Sequence, residues 1–448
     1  MYVAIVGAGP AGFFSAAALL KVDDPTVHID MFERLPTPWG LVRSGVAPDH
    51  PKIKSVSAIF TKTAAHERFR FFGNVEIGRD VTRRDLLTHY DAVIYAVGAQ
   101  KDRPLGVPGE TLPGSVGASE IVGWYNAHPD RSHLTPDLSV RAATVIGNGN
   151  VALDVARILT MQPSALGNTD IADHALRALA DSKIEDVTVV GRRGPLQAAF
   201  TTPELRELGE LDGVHVNVDP ADLADITDDD LSAASQVTRM NIDVLRDLAT
   251  RPRLPGQHRQ ITLTFRRSPA ELRGADRVEE IVLARNELRD EGGRTIAIDS
   301  GERERLPTGL VVRAIGYHGN RLESVPFDEG RGVIPNIDGR VDGEMGEYVV
   351  GWVKRGPSGI IGTNKKCAQD TVDTILSDLA AGTLKPSERP AAPPDLVERS
   401  GAKPVLAEHW LAIDRHELAA AVTSGRPRIK LSTWRELLAV GHETVQPH

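Results

Sequence analysis

At 448 residues, 41% hydrophobic, 25% charged and 5% aromatic, the chain is long enough for two or three domains and has the balance of a globular protein that folds in water. A formal net charge of −9 excludes the large basic surface that nucleic acid or an anionic membrane would require, and no apolar run approaches the roughly 20 residues that span a bilayer. The single cysteine, Cys367, excludes within one chain a disulfide, a paired-thiol redox centre and a cysteine-ligated cluster. No metal site is expected, and with no targeting signal visible the expected compartment is the cytoplasm.

The N-terminus goes straight into an apolar run at residues 2–6 that reads as a buried strand. A glycine turn follows at 7–12, then a helix at 13–21 and a second strand at 27–33. Parallel strands joined by a crossover helix predict a doubly wound sheet. The same pattern recurs once, with a strand at 143–146, a turn at 147–150, a helix at 151–159 and a strand at 187–191. Two short apolar strands ending in glycine, at 91–98 and 310–316, frame an insertion. The expected fold is α/β, with two Rossmann-like dinucleotide-binding domains in the glutathione reductase-like arrangement, the second inserted into the first. Expected bounds are 1–105 and 326–385 for the first domain and 106–325 for the second. Residues 386–448 make a linker and C-terminal helical extension: 385–404 is rich in proline, alanine and charge, and 406–422 reads as a helix with no chemistry assigned.

In the first turn, Gly7-Ala-Gly9-Pro-Ala-Gly12, the glycines allow respectively the turn itself, backbone approach to a pyrophosphate, and close packing of helix on strand. The phosphate then sits at the helix N-terminus. Glu33 closes the second strand, where a carboxylate accepts hydrogen bonds from both ribose hydroxyls and repels a 2′-phosphate. In the second turn, Gly147-Asn-Gly149-Asn-Val-Ala152, alanine takes the third place, and the next strand ends in Gly191-Arg192-Arg193. Two adjacent guanidinium groups at that point pair with a 2′-phosphate and select NADP over NAD. Two nucleotide sites of opposite charge preference imply one bound flavin nucleotide and one exchanging NADPH.

Four stretches carry a more specific pattern: residues 36–51, 147–154, 191–197 and 351–364, the last reading Gly-Trp-Val-Lys-Arg-Gly-Pro-Ser-Gly-Ile-Ile-Gly-Thr-Asn. On these the chain resembles, over nearly its whole length, the adrenodoxin reductase family and its bacterial NADPH–ferredoxin reductases. The resemblance implies FAD along Gly7, Gly9, Ala11, Gly12, Glu33, Leu41 and Val81, closed over by Trp352, Gly359, Ile360 and Ile361. It implies NADP along Asn148, Gly149, Asn150, Val151, Arg192, Arg193 and Glu204, with Gly359 meeting the nicotinamide. His50, Asp154 and either Glu204 or Glu207 are implied as polar groups of the active site; the two glutamates lie one helical turn apart, so the pattern leaves both open. A helix expected at 364–379 would direct its N-terminal dipole at the negative charge of reduced flavin.

The implied activity is hydride transfer from NADPH to FAD, then single-electron transfer to a ferredoxin-type iron–sulfur protein. Because such partners are usually acidic, the expected docking face gathers Arg206, Arg239, Arg246, Arg251 and Arg253, which could equally form a solvated helical face. A monomer is the default. Other readings are a flavin-dependent NADPH oxidase or monooxygenase, and a flavin-carrying interaction subunit without turnover. The lone cysteine rules out disulfide reduction, which needs one thiolate to attack and a second to resolve.

Overall fold

The computed structural model describes residues 1–23, 26–384, 396–397 and 400–443. Most of the expected linker at 385–404 therefore lies outside the described residues. The chain divides into two compact units: Met1–Lys101 with Asn126–Asp130 and Gly316–His448, and Asp102–Tyr125 with Arg131–Ile315. The return to the first unit comes at Gly316 rather than near residue 326, and a five-residue excursion at 126–130 also belongs there.

The first unit is built on a seven-stranded sheet. Its parallel part runs Phe69–Phe72, His28–Phe32, Tyr2–Val6, Ala92–Tyr95 and Glu347–Val349, extended at one edge by the short antiparallel strands Arg340–Val341 and Asn336–Ile337. Alternation along each strand supplies both faces, as expected of a parallel sheet covered on two sides. Val3, Ile5, Ile29, Met31, Phe69, Phe71 and Ile94 pack on one face against the helices Pro10–Leu19 and Ile361–Ala380. Val6, Phe32, Phe72, Val93 and Tyr95 fill the other. The first helix starts at Pro10, earlier than the apolar pattern suggested, because proline is pre-organised for the opening position and its missing N–H has no helical acceptor to lose.

The second unit carries a six-stranded parallel sheet in the order Ser115–Gly117, Leu310–Arg313, Ala142–Ile146, Asp186–Val190, Arg259–Thr264, Val214–Val218. A three-stranded antiparallel sheet, Arg267–Arg273, Glu280–Glu291 and Arg294–Pro307, forms an arm of the same unit.

Both sheets reverse their strand order at the same place. In the first, the chain runs outward from Tyr2–Val6 through His28–Phe32, then crosses back to Ala92–Tyr95 on the other side; in the second it runs from Ala142–Ile146 through Asp186–Val190 and returns at Leu310–Arg313. Ligands of open α/β sheets bind in the crevice at such a switch point, beyond the carboxyl ends of the strands. Each glycine turn lies there. The Gly7 N–H donates to Phe32 O at 2.8 Å and the Ala96 N–H to Val6 O at 2.7 Å; their counterparts are Gly147 N–H to Val190 O at 2.8 Å and Ala314 N–H to Ile146 O at 2.8 Å.

Candidate nucleotide-binding sites

In the first unit, Gly7 has φ +108°, and a Cβ added there would lie 2.6 Å from Ala96 O, so neither the conformation nor the space admits a side chain. A Cβ on Gly12 would lie 2.2 Å from Gly7 O, which is the close helix-to-strand approach expected of the third glycine. Gly9 differs from both: a Cβ there would meet nothing within 4 Å. The open space stands in front of the first turn of helix Pro10–Leu19, whose leading N–H groups have no intrahelical acceptor.

Glu33 lies just past the end of its strand and accepts the Ala8 N–H at 2.9 Å on one oxygen and the Leu35 N–H at 3.0 Å on the other. Burial pushes its carboxyl above the usual range, opposed by those two N–H groups and by Arg34. Each oxygen keeps a second lone pair, so a diol can still be held.

A strained corner completes this side. Trp39 (φ +87°) and Gly40 (φ +51°) both have left-handed backbone, and a Cβ on Gly40 would lie 2.9 Å from Gly9 Cα. The Trp39 N–H donates to Ala8 O at 2.8 Å, and its ring packs 5.8 Å from Phe13, 5.9 Å from Phe60 and 5.8 Å from Trp410. Positive φ at a bulky residue costs on the order of 1–3 kcal/mol and persists where packing over-determines it. Leu41 opens the short helix Leu41–Ser44 that follows. Across the turn, a Cβ on Gly351 would lie 2.7 Å from Ala11 Cβ, which brings the 351–364 segment up to the fingerprint helix. Trp352, half-buried, stacks on Tyr317 at 6.1 Å; Gly359 has φ +82°, Ile360 is exposed, and Ile361 begins the 20-residue helix. Val81 is fully buried in the same core cluster as Phe32, and His50 is buried at the N-cap of Pro51–Lys54.

The sequence assigned nothing to the C-terminal helix Ala407–Ala421, yet it reaches this corner. Glu417 is fully buried and accepts from both terminal nitrogens of Arg43, at 2.8 and 2.5 Å. It also accepts Arg428 at 2.8 Å and the Leu431 N–H at 2.8 Å, while Arg428 pairs with Asp414 at 2.6 Å. Lys430 donates to Arg43 O at 3.0 Å, and the Arg43 guanidinium stands 5.5 Å over the Trp410 ring. The two guanidinium groups outweigh burial and hold the Glu417 carboxyl below its ordinary range.

The second unit repeats the first with the charge reversed. Gly147 (φ +131°) could take no Cβ, since Ala314 O would lie 2.2 Å away, while Gly149 again faces open space. Helix Asn150–Thr160 starts directly after Gly149, and the Asn150 side chain braces the neighbouring loop by accepting the Thr201 N–H at 2.8 Å. Asn148, Asn150 and Val151 thus lie at or beside the helix N-terminus. Arg192 and Arg193 follow the strand Asp186–Val190, the first exposed and the second half-buried. No carboxylate pairs with either among the described residues. Burial, then the charges of Arg192 and Arg294, hold the pKa of Arg193 below the ordinary guanidinium range.

Three of the four proposed active-site polar residues meet around one buried group that the sequence reading passed over. Arg157, fully buried on helix Asn150–Thr160, lies 2.8 Å from Asp154, 4.0 Å from Glu204 and 3.7 Å from Glu207. The two glutamates on helix Thr202–Leu208 do share a face, and Arg157 is what they share it with. An arginine three residues after Asp154 on a helix was the available signal.

The proposed docking arginines are exposed but not alone. Arg251 pairs with Asp247 at 2.5 Å and donates to Gly209 O; Arg239 and Arg246 cap main-chain carbonyls; Asp243 and Glu210 lie among them. The patch is of mixed sign.

Residues 1–231 match the model of the pyridine nucleotide-disulphide oxidoreductase family. NADPH-ferredoxin reductase FprA of Mycobacterium tuberculosis is 56% identical over 98% of this chain and 99% of its own length. The chain belongs to the adrenodoxin reductase-type branch of this family. Human mitochondrial NADPH:adrenodoxin oxidoreductase is 43% identical over 98% of this chain and 92% of its own. The structure of M. tuberculosis FprA in complex with NADPH superposes with a TM-score of 0.95 at 56% identity, covering 98% and 99% of the two chains. FAD fits the first site of this family member: Gly9 leaves room for a diphosphate at a helix N-terminus, and the Glu33 carboxylate has acceptor capacity left for an unphosphorylated ribose. Among the described residues, no helix is long and apolar enough to cross a membrane.

Proposed function

We propose that the chain is an FAD-dependent NADPH–ferredoxin oxidoreductase, a cytoplasmic monomer that takes electrons from NADPH and passes them singly to a ferredoxin-type iron–sulfur protein. Bound FAD supplies the two-electron acceptor for the nicotinamide hydride and the means to release electrons one at a time. The chain's own groups bind and orient. Glu33 holds the adenosine ribose of FAD, and the segment from Trp39 to Leu41, with Gly351 and Trp352, encloses the cofactor beside the helix N-termini. Arg192 and Arg193 hold the 2′-phosphate of NADPH, and the N-terminus of Asn150–Thr160 its diphosphate.

Asp154, with Glu204 or Glu207, orients the nicotinamide end, and Arg157 fixes the position of those carboxylates; His50 is the active-site histidine. Since hydride passes between nicotinamide and flavin without an obligatory protein acid, these groups tune the reaction rather than enable it. The observation that carries the reading is the charge contrast between the two switch points: a carboxylate in one, and in the other a guanidinium pair with no carboxylate partner among the described residues.

The ferredoxin docks at the exposed arginines 206, 239, 246 and 251. Anaerobic NADPH should bleach the flavin, and added ferredoxin should then be reduced at a rate that falls as salt rises from low to physiological concentration. Failure to bleach would overturn the oxidoreductase assignment. A salt-independent rate would remove the arginine docking face.

A further inference from the structure

The antiparallel arm of the second unit is used by none of the chemistry above, yet its middle strand grips the loop that carries the two arginines. Asn286 is buried and sits at a register shift in strand Glu280–Glu291, where the pairing slips between Ala284 and Asn286. Its amide nitrogen donates to Arg192 O at 2.8 Å and to Ser268 Oγ at 2.7 Å. Its backbone N–H donates to Arg266 O at 2.7 Å, and the N–H of Arg266, itself left-handed at φ +57°, donates to Arg193 O at 3.0 Å. The Arg267 N–H closes on Gly191 O at 3.0 Å. Two residues along the strand from Asn286, Leu288 covers Gly194, where an added Cβ would stand 3.1 Å from Leu288 Cδ1. Bulges re-aim side chains beside functional sites. Here the irregularity directs a buried amide at the peptide between the two arginines.

The same strand turns back through Gly292-Gly293, both with positive φ, into a two-residue hairpin with Glu291 opposite Arg294. Arg294 is thereby fixed as the first residue after the turn. It is exposed and has no carboxylate partner among the described residues. At Arg192 and Arg193, two adjacent guanidinium groups with no carboxylate partner among the described residues raise one another's energy, and an anion with two charges relieves the repulsion.

We propose that this arm is part of the 2′-phosphate site, with Asn286 as the positioning residue that fixes the Arg192–Arg193 peptide. The inference rests on the assignment of Arg192 and Arg193 to NADPH. Asn286 acts through the two arginines on the 2′-phosphate alone, so it sets the discrimination between nucleotides and not nucleotide binding in general.

Calorimetric titration of the FAD-loaded protein with adenosine 2′,5′-bisphosphate and with 5′-ADP tests it. Asn286→Ala should weaken the bisphosphate about tenfold without affecting 5′-ADP. Arg192→Ala is the reference: if it leaves bisphosphate affinity intact, the underlying site assignment falls. If Arg192→Ala weakens the bisphosphate while Asn286→Ala, with native circular dichroism and full FAD content, leaves both ligands unchanged or weakens them equally, the arm is scaffold only and the inference is overturned.

Discussion

Gly12 and Ala152 occupy equivalent third places in the two glycine turns, and the difference between them is a matter of ångströms. A methyl at Gly12 would be driven to 2.2 Å from the Gly7 carbonyl oxygen, and backbone cannot swing aside as a side-chain tip can. Gly12→Ala should therefore cost about 1–3 kcal/mol in unfolding experiments and yield protein with a reduced flavin-to-protein ratio. An unchanged ratio would show that the turn relaxes. The places of Glu33 and the Arg192–Arg193 pair, after the second strand of each unit, were legible in the sequence because they stand at a fixed offset from a glycine fingerprint. Arg157 was not legible. A helical arginine reads as a solvated side chain, and only the packing of helix Thr202–Leu208 shows it fully buried among three carboxylates. Trp39 was hidden for a similar reason, since positive φ at a tryptophan is decided by the rings around it.

At the level of elements, period and punctuation located the strands and fingerprint helices to within a few residues, and the duplicated strand–turn–helix unit was plain before any coordinates. The C-terminal helix shows what such patterns miss. Its apolar stripe announced a helix, but its function depends on Glu417, hundreds of residues away in sequence from Arg43 and in direct contact with it. Breaking a buried pair from one side leaves the other charge uncompensated and costs about 3–5 kcal/mol. Glu417→Gln should lower stability by about that amount at neutral pH. The carboxyl is held below its unfolded value, so its contribution is complete above about pH 4.3 and is lost as pH falls through the folded value. Chemical denaturation of wild type and variant should thus show a gap that narrows under acid. A gap independent of pH would mean that the charge is not what holds the Trp39–Arg43 corner.

The whole molecule poses one question to which length, composition and net charge give no answer: why the chain carries two nucleotide sites of the same design. Each unit places its glycine turn at a switch point and leaves its second glycine facing open space. Identical architecture at both places means that the backbone cannot tell one nucleotide from the other. On the proposed assignment, the distinction lies in side chains after the second strand of each sheet, a carboxylate that two N–H groups hold in place and a guanidinium pair with no carboxylate partner among the described residues. The boundaries between units were the least legible feature, because a segment such as 126–130 is assigned by packing and carries no punctuation of its own. The most direct measurement is the rate of anaerobic flavin bleaching by NADPH and by NADH, in wild type and in Arg192→Ala/Arg193→Ala. Wild type should prefer NADPH, and the double variant should lose about 10- to 100-fold of that preference with its NADH rate retained. Equal reduction by both nucleotides in wild type, or an undiminished preference in the variant, would contradict the account.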